Sequence, residues 1–140
     1  MPPDEGAPTS PLPLALDPDR RVLVIDDERD IGAMISRLLK PLPVVFAQSA
    51  AGALGRLEAG ARFAAILCDI HMPGIDGMQF YDAVRALAPS LARRIVYITG
   101  SEDSGALREF LARTGCQCIG KPFDGATIRA AVTAVMSSAD

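Results

Sequence analysis

The chain has 140 residues, a formal net charge of −3 and a hydrophobic fraction of 49%, enough apolar material for the core of one domain of ordinary size. The negative charge gives no general attraction for nucleic acid or anionic membranes. No apolar run reaches the ~20 residues needed for membrane insertion, and the N-terminus lacks the pattern of a signal peptide. Three cysteines do not make a paired disulfide framework, so we expect reduced thiols in a cytoplasmic protein.

The first 19 residues differ in composition from the rest of the chain. Residues 1–19 contain six of the eleven prolines and almost no hydrophobic periodicity. This composition predicts a disordered or loosely held tail. Residues 20–138 show regular patterning, and we expect them to form a single domain.

After Arg21, short apolar runs alternate with amphipathic patterns. Uninterrupted apolar runs predict strands that are buried on both faces, and apolar residues spaced by three and four positions predict helices. The predicted strands are 22–25, 44–46, 63–68, 95–98 and 116–119. The predicted helical faces lie within 31–39, 50–57, 78–87, 107–111 and 128–136. This alternation predicts an α/β fold, a doubly wound five-stranded parallel sheet with helices on both faces.

Polar side chains follow four of these strands. Asp26 and Asp27 follow the first strand, Asp69 the third, Thr99 the fourth and Lys121 the fifth. Open α/β sheets bind ligands beyond the carboxyl ends of their strands, so these residues are the candidates for a functional site. Clustered carboxylates repel one another unless a hard cation such as Mg²⁺ binds them. A carboxylate can also form an aspartyl phosphate, whose oxygens a metal ion, a lysine and a hydroxyl stabilise.

The candidate residues lie in four motifs that resemble the CheY-like receiver domains of two-component response regulators. The motifs are VIDD at 24–27, Asp69 with MPG at 72–74 and DG at 76–77, TG at 99–100 and KPF at 121–123. Each motif follows its own predicted strand, and the resemblance extends over about residues 21–137. It implies the flavodoxin-like strand order 2-1-3-4-5.

The resemblance also implies a role for each residue. Asp69 is the expected phosphoacceptor and a metal ligand. Asp26 and Asp27 are the expected Mg²⁺ acids, Asp27 by direct binding and Asp26 through water. The backbone carbonyl of His71 is the expected third protein ligand.

Two further residues complete the implied site. Thr99 and Lys121 are the expected ligands of the phosphoryl oxygens. The Lys121–Pro122 peptide is expected to be cis, as in relatives, and proline makes this isomer accessible.

The function that the resemblance implies is Mg²⁺-dependent acceptance of a phosphoryl group from a sensor histidine kinase or a histidine phosphotransfer protein. Slow autophosphatase activity is expected, without a dedicated enzyme activity. Because only about three residues follow the last predicted helix, we expect a stand-alone receiver that signals by phosphorylation-dependent binding of an unknown protein target. The alternative is a phosphate sink or phosphorelay intermediate without its own output.

Two other functions are disfavoured. The complete set of acids, hydroxyl and lysine argues against a phosphorylation-independent adaptor. A phosphatase of the DxDxT type needs a second acid, and the Asp69-Ile-His71 run lacks it.

Several of these residues also have a simpler structural interpretation. The acidic run 26–30 could be nothing more than a helix N-terminus, where the helix dipole favours negative charge. We interpret Asp76 as a helix N-cap and not as a metal ligand. The imidazole of His71 is expected to be a partly exposed neighbour of the site, because Mg²⁺ disfavours imidazole. Cys116 and Cys118 are expected to be small buried hydrophobes and not a soft-metal pair.

The chain departs from the family pattern at Cys118, three residues before the lysine. Relatives often carry Tyr or Phe there, and that ring moves into the space that the threonine leaves. A cysteine is too small for this movement. We therefore expect activation to rely on movement of the loop from Thr99 to Ser104 and of the helix after it. Tyr97, which shares a strand face with Thr99, is one candidate to fill the space beside Cys118.

Overall fold

The computed structural model describes residues 20–71, 74–100 and 105–138. The predicted tail 1–19, the Met-Pro pair at 72–73 and the loop residues 101–104 lie outside the described residues. The expectation that the Thr99 to Ser104 loop moves on activation therefore stays a prediction.

The five strands form one parallel sheet with the order β2-β1-β3-β4-β5, which confirms the predicted doubly wound fold and its strand order. Apolar side chains fill the strands because both faces of the sheet are covered. The strands are β1 (Val22–Ile25), β2 (Val44–Ala47), β3 (Ala65–Asp69), β4 (Ile95–Thr99) and β5 (Gln117–Gly120).

The described residues also form six helices, one more than predicted. They are α1 (Arg29–Leu39), α2 (Ala50–Glu58), α3 (Gly77–Leu87), α4 (Pro89–Ala92), α5 (Gly105–Thr114) and α6 (Gly125–Ser138). The unpredicted helix α4 has only four residues. Pro89 ends α3, as predicted, but it also begins α4, because a helix tolerates proline in its first turn.

Alternate residues of the strands face two separate cores. On one face, residues such as Leu23, Cys68 and Tyr97 pack against α2, α3, α4 and α5. On the other face, residues such as Val24 and Ile98 pack against α1 and α6. The sheet is therefore held rigidly between two helical layers, and the ends of its strands are fixed in position.

The strand β3 is shifted by one to two residues from its predicted position. It spans 65–69 and not 63–68, so Asp69 is the last residue of the strand and pairs with Ile98 of β4. Thr99 likewise ends β4 and pairs with Gly120. Because ladder pairing fixes both residues, the two candidate side chains have defined positions at the carboxyl edge of the sheet.

The edge strand β2 packs its aromatic ring directly onto a glycine of α1. A Cβ atom at Gly32 would lie 2.3 Å from Cδ1 of Phe46. A Cβ atom at Gly55 of α2 would have no heavy atom of its surroundings within 4 Å. The two glycines therefore provide a matched pair for testing how closely α1 packs on the sheet.

We predict that Gly32→Ala lowers the free energy of unfolding by about 1–3 kcal/mol, because the methyl group forces the Phe46 ring out of position. Gly55→Ala should raise it by up to about 1 kcal/mol, since alanine has the higher helix propensity. Urea titration followed by circular dichroism measures both values. A Gly32→Ala protein as stable as Gly55→Ala contradicts the close packing.

Candidate functional site

Three carboxylates converge at the carboxyl edge of the sheet. Oxygen atoms of Asp26, Asp27 and Asp69 all lie within 4.8 Å of one another. Asp26 follows β1 and is 1% exposed, Asp69 ends β3 and is 7% exposed, and Asp27 is exposed. Buried carboxylates at this separation repel one another, so the group has the charge and the oxygen ligands of a site for a hard cation.

Lys121 places a positive charge beside the two buried acids. Its Nζ lies 4.0 Å from Oδ2 of Asp26 and 3.9 Å from Oδ2 of Asp69. The backbone N–H of Lys121 donates a hydrogen bond of 2.8 Å to the carbonyl of Thr99. The Lys121–Pro122 peptide is cis, as predicted. The lysine thus faces both acids but lies beyond hydrogen-bond distance from either one.

Two buried polar atoms at this edge have no hydrogen-bond partner among the described residues. They are Oδ2 of Asp26 and Oγ1 of Thr99. Buried polar groups are nearly always paired, so each unpaired atom requires an explanation. A cation matches the carboxylate oxygen and an oxyanion matches the hydroxyl. The donor set of the site therefore fits Mg²⁺ together with a phosphoryl group.

The family model of the response regulator receiver domain matches residues 22–133. The chain belongs to this family. Receiver domains of two-component response regulators take phosphate from histidine kinases or phosphotransfer proteins, and they generally bind Mg²⁺ at an acidic pocket. The group of Asp26, Asp27 and Asp69 is an acidic pocket of this kind.

Individual relatives agree with the family. The chain is 32% identical over 112 residues to a protein-glutamate methylesterase/protein-glutamine glutaminase of Agrobacterium fabrum, covering 75% of this chain and 30% of the relative. It is 30% identical over 115 residues to the transcriptional regulatory protein FixJ of Azorhizobium caulinodans, covering 81% and 53%. The chain therefore spans about half or less of the length of these curated relatives.

Solved structures show the same fold. The Vibrio cholerae chemotaxis protein CheY4 superposes with a TM-score of 0.69 at 28% identity, covering 83% of this chain and 98% of that chain.

No helix in the described part of this receiver domain is long and apolar enough to cross a membrane.

Asp76 has the structural role that the sequence predicted. Its Oδ1 accepts a hydrogen bond from the backbone N–H of Gln79 at 2.9 Å, and the Gln79 side chain accepts one from the N–H of Asp76 at 3.0 Å. This reciprocal pair is a capping box at the start of α3. The N-cap interpretation of Asp76 is confirmed.

His71 and Glu28 contribute backbone groups to the site. The N–H of His71 donates to Oδ1 of Asp69 at 3.3 Å, and the N–H of Glu28 donates to Oδ1 of Asp26 at 2.8 Å. Asp26 belongs to the acidic group at the strand ends. Glu28, two residues later, is the N-cap of α1, and its side chain makes no capping hydrogen bond. The acidic run is both a helix N-terminus and part of the pocket. The expected role of the His71 carbonyl stays a prediction.

The three cysteines are free thiols. Cys68 is fully buried, whereas Cys116 and Cys118 are only half-buried and pack against the core face that contains Tyr97. Burial raises the pKa of all three thiols, which favours their protonated form. They act as small hydrophobic residues, although the two in and near β5 are less buried than expected.

Burial also raises the pKa of the buried acids of the receiver domain. Desolvation is the largest cause that raises the pKa of Asp26 from 3.8 to about 6, with the hydrogen bond from Glu28 opposing it. Desolvation likewise raises the pKa of Asp69, and Lys121 opposes it. The pocket therefore holds negative charge that the surrounding protein does not fully compensate.

We predict that this charge destabilises the metal-free protein as pH rises. Between pH 3.8 and about 6, folded Asp26 retains a proton that the unfolded chain has already released, so the free energy of unfolding falls with increasing pH. At about 1.4 kcal/mol per pKa unit, the loss is at most about 3 kcal/mol, and the raised pKa of Asp69 acts in the same direction.

Urea titrations in EDTA at pH 4 to 8 test this effect. Asp26→Asn should be more stable than the wild type above pH 6 and should show a smaller pH dependence. Asp30→Asn, which removes an exposed carboxylate of α1, is the control and should follow the wild type. An Asp26→Asn protein with the pH profile of Asp30→Asn contradicts the raised pKa.

Proposed function

We propose that this receiver domain accepts a phosphoryl group on Asp69 from the phosphohistidine of a sensor kinase or a histidine phosphotransfer protein. The observation that carries the proposal is the position of the Asp69 carboxylate, at the end of a buried strand between two other acids and the Nζ of Lys121. A phosphoryl group adds negative charge beside the other carboxylates. The aspartyl phosphate is therefore stable only where cations balance that charge. Lys121 is one such cation.

Mg²⁺ is the second cation in this proposal. Asp26, Asp27, Asp69 and the backbone carbonyl of His71 are its proposed ligands. When bound, the ion neutralises carboxylate charge and polarises the phosphoryl oxygens. Oδ2 of Asp26 has no hydrogen-bond partner among the described residues, and the Lys121 ammonium lies 4.0 Å away. This supports the assignment, because a bound cation reduces the free-energy penalty of a buried acceptor without a hydrogen bond.

The residues of the chain then divide the chemistry among them. A carboxylate oxygen of Asp69 attacks phosphorus and forms the new O–P bond. The N–P bond of the donor breaks, and its electron pair returns to the imidazole nitrogen. Lys121 stabilises charge on the phosphoryl oxygens, and the hydroxyl of Thr99, unpaired among the described residues, donates to one of them.

The proposed output is phosphorylation-dependent binding of a protein target by a cytoplasmic, stand-alone receiver domain. The curated relatives are longer than this chain, and in this proposal the surface of the receiver domain itself binds the target. Fast return of the phosphoryl group to the donor histidine, without any target, identifies a phosphate sink instead.

We predict that acetyl phosphate or phosphoramidate with Mg²⁺ adds a single phosphoryl group to the protein, at Asp69. Intact-mass spectrometry should detect one added phosphate in the wild type and none in Asp69→Asn. Asp76→Asn is the matched control, since asparagine preserves an N-cap, and it should label normally. Equal labelling of Asp69→Asn and the wild type excludes Asp69 as the acceptor.

We also predict that Mg²⁺ affinity depends on Asp27. The exposed carboxylate of Asp27 completes the three-acid group, so Asp27→Ala should weaken Mg²⁺ binding by at least about tenfold. Asp30→Ala removes an acid from the same helix end outside the group and should bind as the wild type does. Isothermal titration calorimetry or amide shifts during Mg²⁺ titration measure the affinity. Equal affinities in the two variants refute the metal assignment.

A further inference from the structure

Tyr97 forms a buried hydrogen bond next to the pocket that the proposed function does not use. Its side chain is 0% exposed, and its hydroxyl donates to the carbonyl oxygen of Gly77 at 2.8 Å. Gly77 is the first residue of α3. The bond therefore joins the middle of β4 to the helix that begins directly after the Asp69 loop.

Both ends of this loop are attached to β4. At one end, the N–H of Ile70 donates to the carbonyl of Ile98 at 3.0 Å. At the other end, Gly77 accepts the Tyr97 hydroxyl, and its own N–H donates to the carbonyl of Ile70 at 3.0 Å. Ile70 and Gly77 are thus joined to each other and to the strand that ends in Thr99.

The packing around Gly77 leaves no space for a side chain at this position. A Cβ at Gly77 would lie 3.0 Å from the carbonyl oxygen of Asp69, 3.1 Å from Cα of Ile70 and 3.1 Å from Cε1 of Tyr97. Only glycine permits the ring, the helix start and the phosphoacceptor strand to approach this closely.

The tyrosine ring also packs against α5. It contacts Phe110 of α5 edge-on, with ring centroids 5.4 Å apart and an interplanar angle of 75°. In the sheet, Tyr97 pairs with Cys118, whose small side chain packs against the same core face. The small residue on β5 is compatible with a large, fixed aromatic ring on β4.

We propose that the Tyr97 hydroxyl is a positioning group, which anchors Gly77 to β4 and, through the bond from Gly77 to Ile70, holds the adjacent backbone of His71 in place for the acidic pocket. This inference rests on the proposed function, because it assigns Tyr97 to the same site. Tyr97 acts on the site only through Gly77 and Ile70.

Tyr97→Phe tests the proposal, because it deletes one oxygen and keeps the ring. The matched control is Tyr81→Phe, which deletes the same atom from the only other tyrosine. The Tyr81 ring lies edge-on to Phe110 in the same cluster, 5.4 Å away. Among the described residues, no hydrogen bond joins its hydroxyl to the loop.

The first measurement is amide hydrogen exchange in the absence of phosphodonor and Mg²⁺. In Tyr97→Phe, exchange of the Gly77 amide should accelerate by about tenfold relative to amides in the centre of β3, because the helix start opens locally. Tyr81→Phe should leave this ratio unchanged. The result does not depend on whether the protein accepts phosphate, so it tests the anchor by itself.

The second measurement is the Mg²⁺ concentration that gives half-maximal labelling by a small phosphodonor. Tyr97→Phe should raise this concentration by about tenfold, the lower end of the effect of groups that orient metal ligands. The rate at saturating Mg²⁺ should stay near the wild-type value. Tyr81→Phe should match the wild type in both quantities.

The outcomes separate the anchor from the proposed function. If the wild type takes up no phosphate, the proposed function is wrong, and Gly77 exchange still decides whether the anchor exists. If Gly77 exchange is the same in both variants, Tyr97 is not an anchor. If exchange accelerates but the Mg²⁺ requirement of a labelled protein is unchanged, Tyr97 does not position the site and the inference is overturned.

Discussion

The repulsion between the two buried carboxylates is the constraint on which the rest of this structure depends. Ile25 of β1 pairs with Cys68 of β3, so Asp26 and Asp69, the residues directly after this pair, lie side by side at the ends of adjacent parallel strands. Burial raises the pKa of both acids. Two such acids stay ionised together only beside positive charge, which Lys121 supplies in part. A ligand that brings a second cation relieves this repulsion, so the arrangement favours the binding of such a ligand.

The sheet makes this arrangement possible because helices cover both of its faces. A rigid β3 cannot relax to separate Asp69 from Asp26, since each strand residue before them is packed against one of two cores. Lys121 reaches the acids from β5, the opposite edge strand to β2. Its backbone is fixed to the end of β4 through the bond to Thr99. Fold stability is therefore what holds charges in positions that are electrostatically unfavourable in the absence of ligand.

Sequence patterns predicted the strands and the convergence of the candidate residues, because apolar runs and strand-end polar residues are local signals. They missed α4, since four residues are too few for a helical period. They placed Asp69 one residue beyond its strand, because the apolar run ends at Cys68 while the ladder continues. They identified the strand face of Tyr97. The partner of its hydroxyl was not predictable, because the carbonyl of Gly77 reaches it only through tertiary packing; the glycine after Asp76 was the one local signal of close approach.

The fixed position of Tyr97 also limits how Thr99 can communicate with the surface. An aromatic ring that reports on the threonine must be free to move between two positions, and the Tyr97 ring lies between Gly77 and Phe110 with its hydroxyl bonded. Cys118 has no ring to move. Under the proposed function, a phosphoryl group pairs with the Thr99 hydroxyl and therefore acts first on the end of β4. Since a ligand shifts an equilibrium only through the state that it binds better, the segment that follows Gly100 is where we expect the two states to differ.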